Sequence, residues 1–345
     1  MDRLPRYRTG DSGLDRAVAE LVDLAELNAD DDLVFETVVS AIRMGRERVG
    51  RADLKLVNAA LKELRYAFHV FEPYRDVRKC TIFGSARTKP TDPAYACARD
   101  FGAAMAAQNW MVMTGAGPGI MAAGLEGAGL ENSFGINIVL PFEADANEFI
   151  ADDPKLINFR YFFTRKVTFM KETHGYALLP GGFGTMDEAF ELLTLMQTGK
   201  SYLAPVVLLD PPGNTYWDTW REFVERELAG SGLISEHDLD LVFITDNVDA
   251  AVDEISRFFR SYHSMRFVGS RLVVRLNREV DNAELADLNR EFADIIAEGA
   301  IEKIDATQSE IDDDDAIDRH RIAFRFDRAS YSRLRQMVRR LNDTA

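Results

Sequence analysis

Residues 180–188 read P-G-G-F-G-T-M-D-E, after the apolar run Y-A-L-L at 176–179 and before the helix-like run A-F-E-L-L at 189–193. This order predicts a buried strand, a glycine-rich turn and a helix with a carboxylate, Glu188, in its first turn. Such a turn presents backbone N–H groups beside the positive end of the helix dipole, which suits a phosphate. Glycine allows close approach or a positive φ that a Cβ would prevent. The stretch therefore suggests chemistry on a phosphorylated sugar.

The same letters allow a simpler interpretation. Thr185 and Glu188 have the spacing of a capping box, in which the threonine caps the N3 amide and the glutamate reaches back to the threonine amide. A cap alone does not require the three glycines that come before it. The phosphate loop and the helix cap both remain open at this point.

Short apolar runs alternate with helical stretches from about residue 78 to residue 262. The apolar runs, interpreted as strands, lie at 80–83, 111–114, 135–140, 176–179, 206–209 and 241–245. The helical stretches lie at 94–108, 120–129, 165–174, 185–197, 216–229 and 248–262. Near-continuous apolar strands joined by helices predict a parallel sheet covered on both faces. We therefore expect a doubly wound, Rossmann-like α/β fold with its ligand beyond the carboxyl ends of the strands.

The segments on either side of this central domain, 78–262, have different patterns. Residues 1–77 are predicted to form a helical N-terminal extension that packs on the main domain or on a partner subunit, because apolar residues recur there at helical spacing. Residues 263–345 are predicted to form a small α+β domain. Its expected strands lie at 270–276, 301–305 and 321–326, and its expected helices at 283–297 and 329–341.

Two charged runs lie in this last segment. The run D-D-D-D at 312–315 is predicted to be a solvated loop rather than a cation site, since no EF-hand spacing surrounds it. A basic group near the end is predicted to form a solvated or intersubunit face, with a regulatory anion site as the weaker alternative. It consists of Arg333, Arg335, Arg339 and Arg340.

Composition excludes several classes of protein. The 345 residues carry a formal charge of −16, which argues against broad electrostatic binding to nucleic acid or to an anionic membrane. No apolar run approaches the roughly 20 residues that span a bilayer, and the N-terminus lacks the apolar core of a signal peptide. The two cysteines fit a reducing cytoplasm, and the five histidines show no metal-ligand spacing. A cytoplasmic protein without a bound metal is expected.

Three further segments belong with the first loop. G-S-A-R at 84–87 follows the first strand and places a cation where strand meets loop. T-G-A-G-P-G-I-M at 114–121 follows the second strand and opens a helix, but it is not the dinucleotide fingerprint, which requires glycine where Ile120 stands. F-T-R-K at 163–166 supplies paired cations just before a helical stretch. No flavin or nicotinamide is therefore expected.

Together these motifs resemble the Lonely Guy (LOG) family of nucleotide phosphoribohydrolases, whose members are often labelled lysine decarboxylases in error. The resemblance covers about residues 78–262, roughly half of the chain, and the N-I-V-L-P-F-E segment at 137–143 is similar to the longer bacterial branch. It implies hydrolysis of the N-glycosidic bond of a nucleoside 5′-monophosphate to free base and ribose 5-phosphate, without a cofactor. It also implies a homodimer or a larger homo-oligomer. The base, whether a purine, a pyrimidine or a cytokinin type, is left open.

The resemblance also implies site residues. Glu188 would hold the ribose hydroxyls and either stabilise the developing positive charge or activate water, and Arg165 would orient Glu188 or contact the nucleotide. The 5′-phosphate would lie on Gly181, Gly182, Gly184 and Thr185. The pocket near ribose or base would be lined by Gly115, Gly117, Gly119 and Ser85, with Lys166 as a further binding candidate. For Gly117 and Gly119 strand–helix packing is the alternative, for Asp187 a surface position is favoured, and Glu143 is as consistent with a loop role as with ligand contact.

Other classes of function rank lower. The main alternative is a non-catalytic module that senses a nucleotide, although a sensor would need neither Arg165 nor Glu188. A pyridoxal-phosphate decarboxylase would need a Schiff-base lysine beside its phosphate loop, and residues 180–188 contain none. A single-stranded-DNA-binding protein of the DprA type shares a G-S-R-like loop, but the charge of −16 opposes it.

Overall fold

A computed structural model describes residues 5–27, 29–140 and 146–343. The chain divides into two compact units, Met1–Tyr66 and Ala67–Ala345. The three boundaries predicted from the sequence, 1–77, 78–262 and 263–345, stay a prediction. Within the described residues, no helix is both long and apolar enough to cross a bilayer.

The first unit is helical, as predicted for the N-terminal extension at residues 1–77. It contains α1 (Ser12–Leu24), α2 (Asp31–Arg46) and most of α3 (Arg51–Phe71). Asp11 caps α1 by accepting hydrogen bonds from the amides of Gly13 and Leu14 at 3.0 and 3.2 Å, as expected of an N-cap aspartate. The core of α1 and α2 consists of Val18, Val22, Phe35 and Val39.

The second unit is built on a seven-stranded sheet. Its strands are β1 (Lys79–Phe83), β2 (Met111–Thr114), β3 (Ser133–Ile138), β4 (Leu156–Phe159), β5 (Gly175–Leu178), β6 (Val206–Leu209) and β7 (Phe243–Thr245). They pair in parallel in the order β4-β3-β2-β1-β5-β6-β7. This confirms the doubly wound α/β fold. The strand order reverses between β1 and β5, where such sheets form their ligand crevice.

In the described part of this unit, six α-helices accompany the main sheet. They are α4 (Pro93–Ala107), α5 (Ile120–Ala128), α6 (Phe162–Glu172), α7 (Phe183–Gln197), α8 (Tyr216–Phe223) and α9 (Val248–Arg257). The predicted helix at 216–229 is α8 followed by a π-helical turn, Val224–Ala229. Strand β4 was not predicted from the sequence. The expected end of the helix at residue 262 was wrong, because α9 ends at Arg257 and a strand begins at Tyr262.

Helices α4 and α5 approach each other at backbone contact because glycines face the contact. A Cβ placed on Gly127 would lie 1.9 Å from the carbonyl oxygen of Arg99. A Cβ on Gly102 would lie 2.3 Å from the carbonyl oxygen of Gly124. Real Cβ atoms cannot come this close to backbone, so glycine is required for this pair of helices to pack as they do.

The C-terminal residues form the expected α+β arrangement around a second, antiparallel sheet. Its strands are β8 (Tyr262–Val268), β9 (Arg271–Leu276), β10 (Ile296–Lys303) and β11 (His320–Phe326), in the order β10-β11-β9-β8. Its helices are α10 (Asn282–Glu291), α11 (Gln308–Asp312) and α12 (Tyr331–Asp343). The helix expected to reach residue 297 ends at Glu291, because β10 begins at Ile296.

The acidic run at 312–315 is tied to arginines rather than fully solvated. Asp315 accepts from Arg266 at 2.8 Å and from Arg275 at 2.6 Å, and Asp313 accepts from Arg266 at 3.0 Å. Nearby, the fully buried Glu310 accepts from Arg275 at 2.8 Å. Burial alone would raise the pKa of Glu310, but hydrogen bonds from Thr307 and the arginines lower it to about 2. Charge pairing therefore organises this loop.

The basic C-terminal group is also more buried and more extensively hydrogen-bonded than predicted. Arg335 is buried, and it donates to the carbonyl of Asp240 at 2.7 Å and to Glu254 on α9 at 3.1 Å. Asn342 donates to the carbonyl of Phe258 at 2.6 Å and accepts from the amide of Ser261 at 2.8 Å. The solvated face predicted for the four arginines is therefore wrong for Arg335. Helix α12 fastens the turn between α9 and β8.

Candidate functional site

A cleft of about 990 Å³ lies at the carboxyl edge of the main sheet. It is bounded by the segments that follow β1, β2, β3 and β5, by the start of α6 and by Tyr216 at the start of α8. The cleft brings together most of the predicted site residues: Ser85, Gly115, Gly117, Arg165, Gly181, Gly182, Gly184, Thr185 and Glu188. Gly119 and Lys166 lie outside this lining. Glu143 lies outside the described residues.

Backbone hydrogen bonds join three of the loops around Ser85. The amide of Ser85 donates to the carbonyl of Pro180 at 3.2 Å, and the amide of Ile120 donates to the carbonyl of Ser85 at 3.0 Å. Gly119 makes this contact feasible, since its φ is +69° and a Cβ there would lie 2.4 Å from the Ser85 carbonyl oxygen. Gly119 thus has the packing role that was the alternative to ligand contact.

The helix that follows the glycine-rich loop starts at Phe183, before the position that a capping box with Thr185 as N-cap would require. Gly182 is the N-cap of α7, which starts at Phe183, and Thr185 lies inside the first turn without capping it. The capping-box interpretation is therefore wrong. The first amides of a helix have no intrahelical acceptor, so they are available to an anion at this end. A Cβ on Gly181 would lie 2.1 Å from Thr185 Oγ1, whereas Gly182 and Gly184 face open space.

Glu188 lies one turn into α7 and is only 6% exposed. Its Oε2 has no hydrogen-bond partner among the residues that the structure describes. Burial raises the pKa of the carboxyl to about 7, although Lys166 and Arg165 both act to lower it. An under-bonded carboxyl of this kind is typical of catalytic groups, because it titrates near neutral pH and retains hydrogen-bonding capacity for a ligand.

The two cations at the start of α6 have different surroundings. Lys166 Nζ lies 2.9 Å from Asp187 and 3.8 Å from Glu188 Oε2, and it also pairs with Glu191. Arg165 lies in the cleft lining, and its Nε donates to the carbonyl of Ile136 at 2.8 Å. Both residues therefore hold positive charge close to the buried carboxyl. The binding role expected of Lys166 stays a prediction.

Gly115 makes room for the arginine of this pair. A Cβ there would lie 2.3 Å from a terminal nitrogen of Arg165. Since Arg165 lines the cleft, the absence of a side chain at residue 115 allows the guanidinium to occupy this position. Gly115 is therefore a spacing residue as well as a lining residue.

Several lining residues were missing from the predicted set. The Tyr216 hydroxyl donates to the carbonyl of Gly181 at 2.5 Å, which fixes the glycine loop from the side of α8. Asn137 at the end of β3 donates to Asn158 at 2.8 Å. Arg87, in the loop after β1, also lines the cleft. Their shared signal is position: each follows or ends a strand at the edge where ligands bind.

The described residues contain no group of three or more His, Cys, Asp or Glu side chains that could hold a metal ion. None of the described residues that line the cleft is a lysine. A pyridoxal phosphate would need a lysine there for its Schiff base, so the residues present do not fit that cofactor.

Comparisons with known proteins point to the same region. Residues 113–255 match the family described as "Possible lysine decarboxylase". A cytokinin riboside 5′-monophosphate phosphoribohydrolase of Mycobacterium marinum is 27% identical over 152 residues, which are 44% of this chain and 79% of that protein. A protein of the same name from Mycobacterium tuberculosis is 28% identical over 164 residues, which are 45% of this chain and 81% of that protein.

Among solved structures, the molybdenum cofactor binding protein of Rippkaea orientalis has 17% identity and a TM-score of 0.38, over 52% of this chain and 96% of that one. A score this low carries no argument about function. The family match, in contrast, spans both Arg165 and Glu188 and ends within α9. This chain is thus similar, over residues 113–255, to the family described as "Possible lysine decarboxylase" and, over less than half of its length, to two mycobacterial phosphoribohydrolases.

Proposed function

We propose that this protein hydrolyses the N-glycosidic bond of a nucleoside 5′-monophosphate, releasing the free base and ribose 5-phosphate. The observation that carries the proposal is the buried Glu188 carboxyl, whose Oε2 lacks a hydrogen-bond partner among the described residues, one turn from a glycine-rich helix start. The mycobacterial relatives are phosphoribohydrolases, which supports the same class of reaction.

The chemistry follows from the charge that develops during cleavage. Breaking the glycosidic bond leaves positive charge on the ribose ring, and a carboxylate close to the ring stabilises it. Glu188 in its ionised form supplies that charge and holds the ribose hydroxyls. The same carboxylate accepts a proton from the attacking water, since its pKa lies near 7.

The neighbouring groups orient the substrate and the carboxylate. The amides at the start of α7 and the Thr185 hydroxyl hold the 5′-phosphate, which fixes the ribose above Glu188. Arg165 and Lys166 keep Glu188 ionised over part of the neutral range, because both lower its pKa. The lining also offers an apolar surface to the base, formed by Ile138, Leu140, Met121 and Phe162.

Product analysis tests this proposal. Purified protein is incubated with AMP, GMP, CMP, UMP and an N6-substituted AMP, and free base and ribose 5-phosphate are quantified by chromatography. We expect equimolar release of base and ribose 5-phosphate from at least one nucleotide, and no release by Glu188→Gln. Tight nucleotide binding without any release would instead identify a sensor.

The pH dependence tests the role of the carboxylate. We expect kcat/KM to rise about tenfold per pH unit below pH 7 and to level above it, because the ionised form of Glu188 is the active one. The second ionisation of a phosphate, near pH 6, also contributes to such a profile.

Lys166→Met separates the two ionisations. Removing this cation raises the pKa of Glu188, so the inflection moves to higher pH, whereas a substrate phosphate ionisation stays in place. A profile that falls with rising pH, or one that Lys166→Met leaves unmoved, would contradict the assigned role.

A further inference from the structure

Arg87 is a cation of the cleft that the proposed reaction has not used. The described residues that line the cleft include two arginines, Arg87 and Arg165. Arg165 donates to the carbonyl of Ile136, and Lys166, which is outside the lining, pairs with the carboxylates of Asp187, Glu188 and Glu191. The guanidinium of Arg87 makes no hydrogen bond or ion pair with any residue in the described ranges 5–27, 29–140 and 146–343. The N–H donors of this guanidinium are therefore available to a ligand.

The backbone places Arg87 beside the glycine loop. Its amide donates to Ser85 Oγ at 3.1 Å, which closes the turn after β1. The amide of Ser85 donates to the carbonyl of Pro180 at 3.2 Å, so the loop that carries Arg87 is bonded directly to the loop that carries Gly181 and Gly182. Strands β1 and β5 are neighbours where the strand order reverses, so both loops face the same crevice.

Charge makes a further cation necessary at this place. A phosphate monoester carries about −1.5 to −2 charges at pH 7, and the glycine loop offers it uncharged groups, the backbone N–H groups and the Thr185 hydroxyl. The loop is followed by two carboxylates, Asp187 and Glu188, in a chain of net charge −16. A guanidinium with free donors meets this need, since it pairs with phosphate oxygens through two parallel hydrogen bonds.

We propose that Arg87 is the specificity-determining residue that supplies the countercharge to the 5′-phosphate and so selects nucleotides over nucleosides. This inference rests on the proposed function. In the unliganded chain the side chain is exposed, and binding of the phosphate draws it over the glycine loop. Arg87 acts on substrate binding and makes no contact with the bond that breaks.

The test compares Arg87→Ala and Arg87→Lys with a control on the same loop. Lys89→Ala removes a cation two residues away whose side chain is exposed and lies outside the cleft lining. Binding of ribose 5-phosphate is measured by calorimetry, since this ligand has no glycosidic bond to cleave. The ratio of kcat/KM for a nucleotide to kcat/KM for its nucleoside is measured in parallel.

Arg87→Ala is expected to weaken ribose 5-phosphate binding by about 10- to 100-fold and to lower the nucleotide-to-nucleoside ratio by the same factor. Arg87→Lys is expected to retain part of the ribose 5-phosphate affinity and part of the nucleotide-to-nucleoside ratio. Lysine keeps the positive charge but cannot form the two parallel hydrogen bonds of a guanidinium. Lys89→Ala is expected to stay within about twofold of wild type for both measurements, and the affinity for ribose 5-phosphate should fall with added salt in wild type more steeply than in Arg87→Ala.

The outcomes separate this inference from the proposed function. Unchanged ribose 5-phosphate binding in Arg87→Ala, with nucleotide hydrolysis intact, overturns the inference and leaves the hydrolase standing. Binding that depends on Arg87 without any hydrolysis supports the inference and overturns the hydrolase. Absence of ribose 5-phosphate binding in the wild type overturns the inference directly.

Discussion

Glu188→Gln is expected to lower kcat by at least about 1,000-fold, because the amide carries no charge to stabilise an oxocarbenium-like ribose and accepts no proton from water. The substitution keeps the volume of the side chain, so the loss reports on charge and basicity rather than on packing. Glu222→Gln, an exposed position on α8, makes the same change of net charge and is expected to leave kcat within about twofold.

The same substitution is expected to stabilise the folded protein at alkaline pH. The carboxyl titrates at about 7 when folded, against 4.5 for an ordinary glutamate, so its ionised form disfavours folding. This penalty is absent well below pH 4.5 and complete above pH 7. Urea unfolding should therefore show Glu188→Gln more stable by on the order of 3 kcal/mol at pH 8.5 and by about 1 kcal/mol at pH 5.5.

Two results would contradict this account of Glu188. Activity within tenfold of wild type in Glu188→Gln would remove the carboxylate from the reaction. An inactive variant with no gain in stability at pH 8.5 would mean that the carboxyl is well solvated, contrary to its 6% exposure. Catalytic groups in enzymes commonly lower the stability of the folded state. Measuring both kcat and the free energy of unfolding of Glu188→Gln tests whether Glu188 does so.

Gly127→Ala is expected to destabilise the second unit by at least about 2 kcal/mol or to prevent its folding. Helix propensity alone predicts the opposite sign, since alanine is favoured over glycine by about 1 kcal/mol inside a helix. Sterics decides here, because the new Cβ would lie 1.9 Å from the carbonyl oxygen of Arg99 and 3.0 Å from the amide nitrogen of Ala103. Both are backbone atoms of α4, so relief requires the helices to separate.

Gly45→Ala provides the matched control for this substitution. Gly45 lies within α2, and a Cβ there meets no atom within 4 Å. We expect it to be neutral or to stabilise by about 0.5–1 kcal/mol. Thermal unfolding followed by circular dichroism measures both variants. A stable, active Gly127→Ala protein would show that α4 and α5 can move apart without loss of the fold.

The sequence was a good guide to the strands that are mainly apolar and buried along their whole length. All five residues of β1 and all four of β2, β5 and β6 are buried, and each was predicted within one residue of its ends. Strand β4 was missed because it is a four-residue edge strand whose pattern L-I-N-F carries a polar residue. Short edge strands give a weak local signal.

The end of α9 was missed for a different reason. Residues 258–262 continue the apolar spacing of the helix and contain no glycine or proline. What ends the helix is a distant side chain: Asn342 accepts from the amides of Ser261 and Tyr262 at 2.8 and 3.1 Å and donates to the carbonyl of Phe258. Tyr262 and Asn342 are 80 residues apart in the sequence, so the local sequence pattern around residue 262 does not indicate this contact.

The candidate site was predictable to the extent that glycine marks it. The three glycine-bearing loops were identified because a close backbone approach needs glycine. Tyr216 carries no such mark, and its contact with Gly181 depends on the strand order that sets β6 beside β5. The mistaken capping box has a related cause, since T-x-x-E fits a helix that starts at Thr185 as well as one that starts at Phe183.

Helix α12 limits how far this chain can be shortened from its C-terminal side. Its residues Leu334, Met337, Val338 and Leu341 are fully buried, and Arg335 and Asn342 complete hydrogen bonds that α9 and its following turn would otherwise lack. A chain cut before α12 would expose these four apolar side chains and would remove the donors that the Glu254 carboxylate and the Phe258 carbonyl now have in Arg335 and Asn342. Truncation at this end is therefore expected to destabilise the second unit as well as to shorten it.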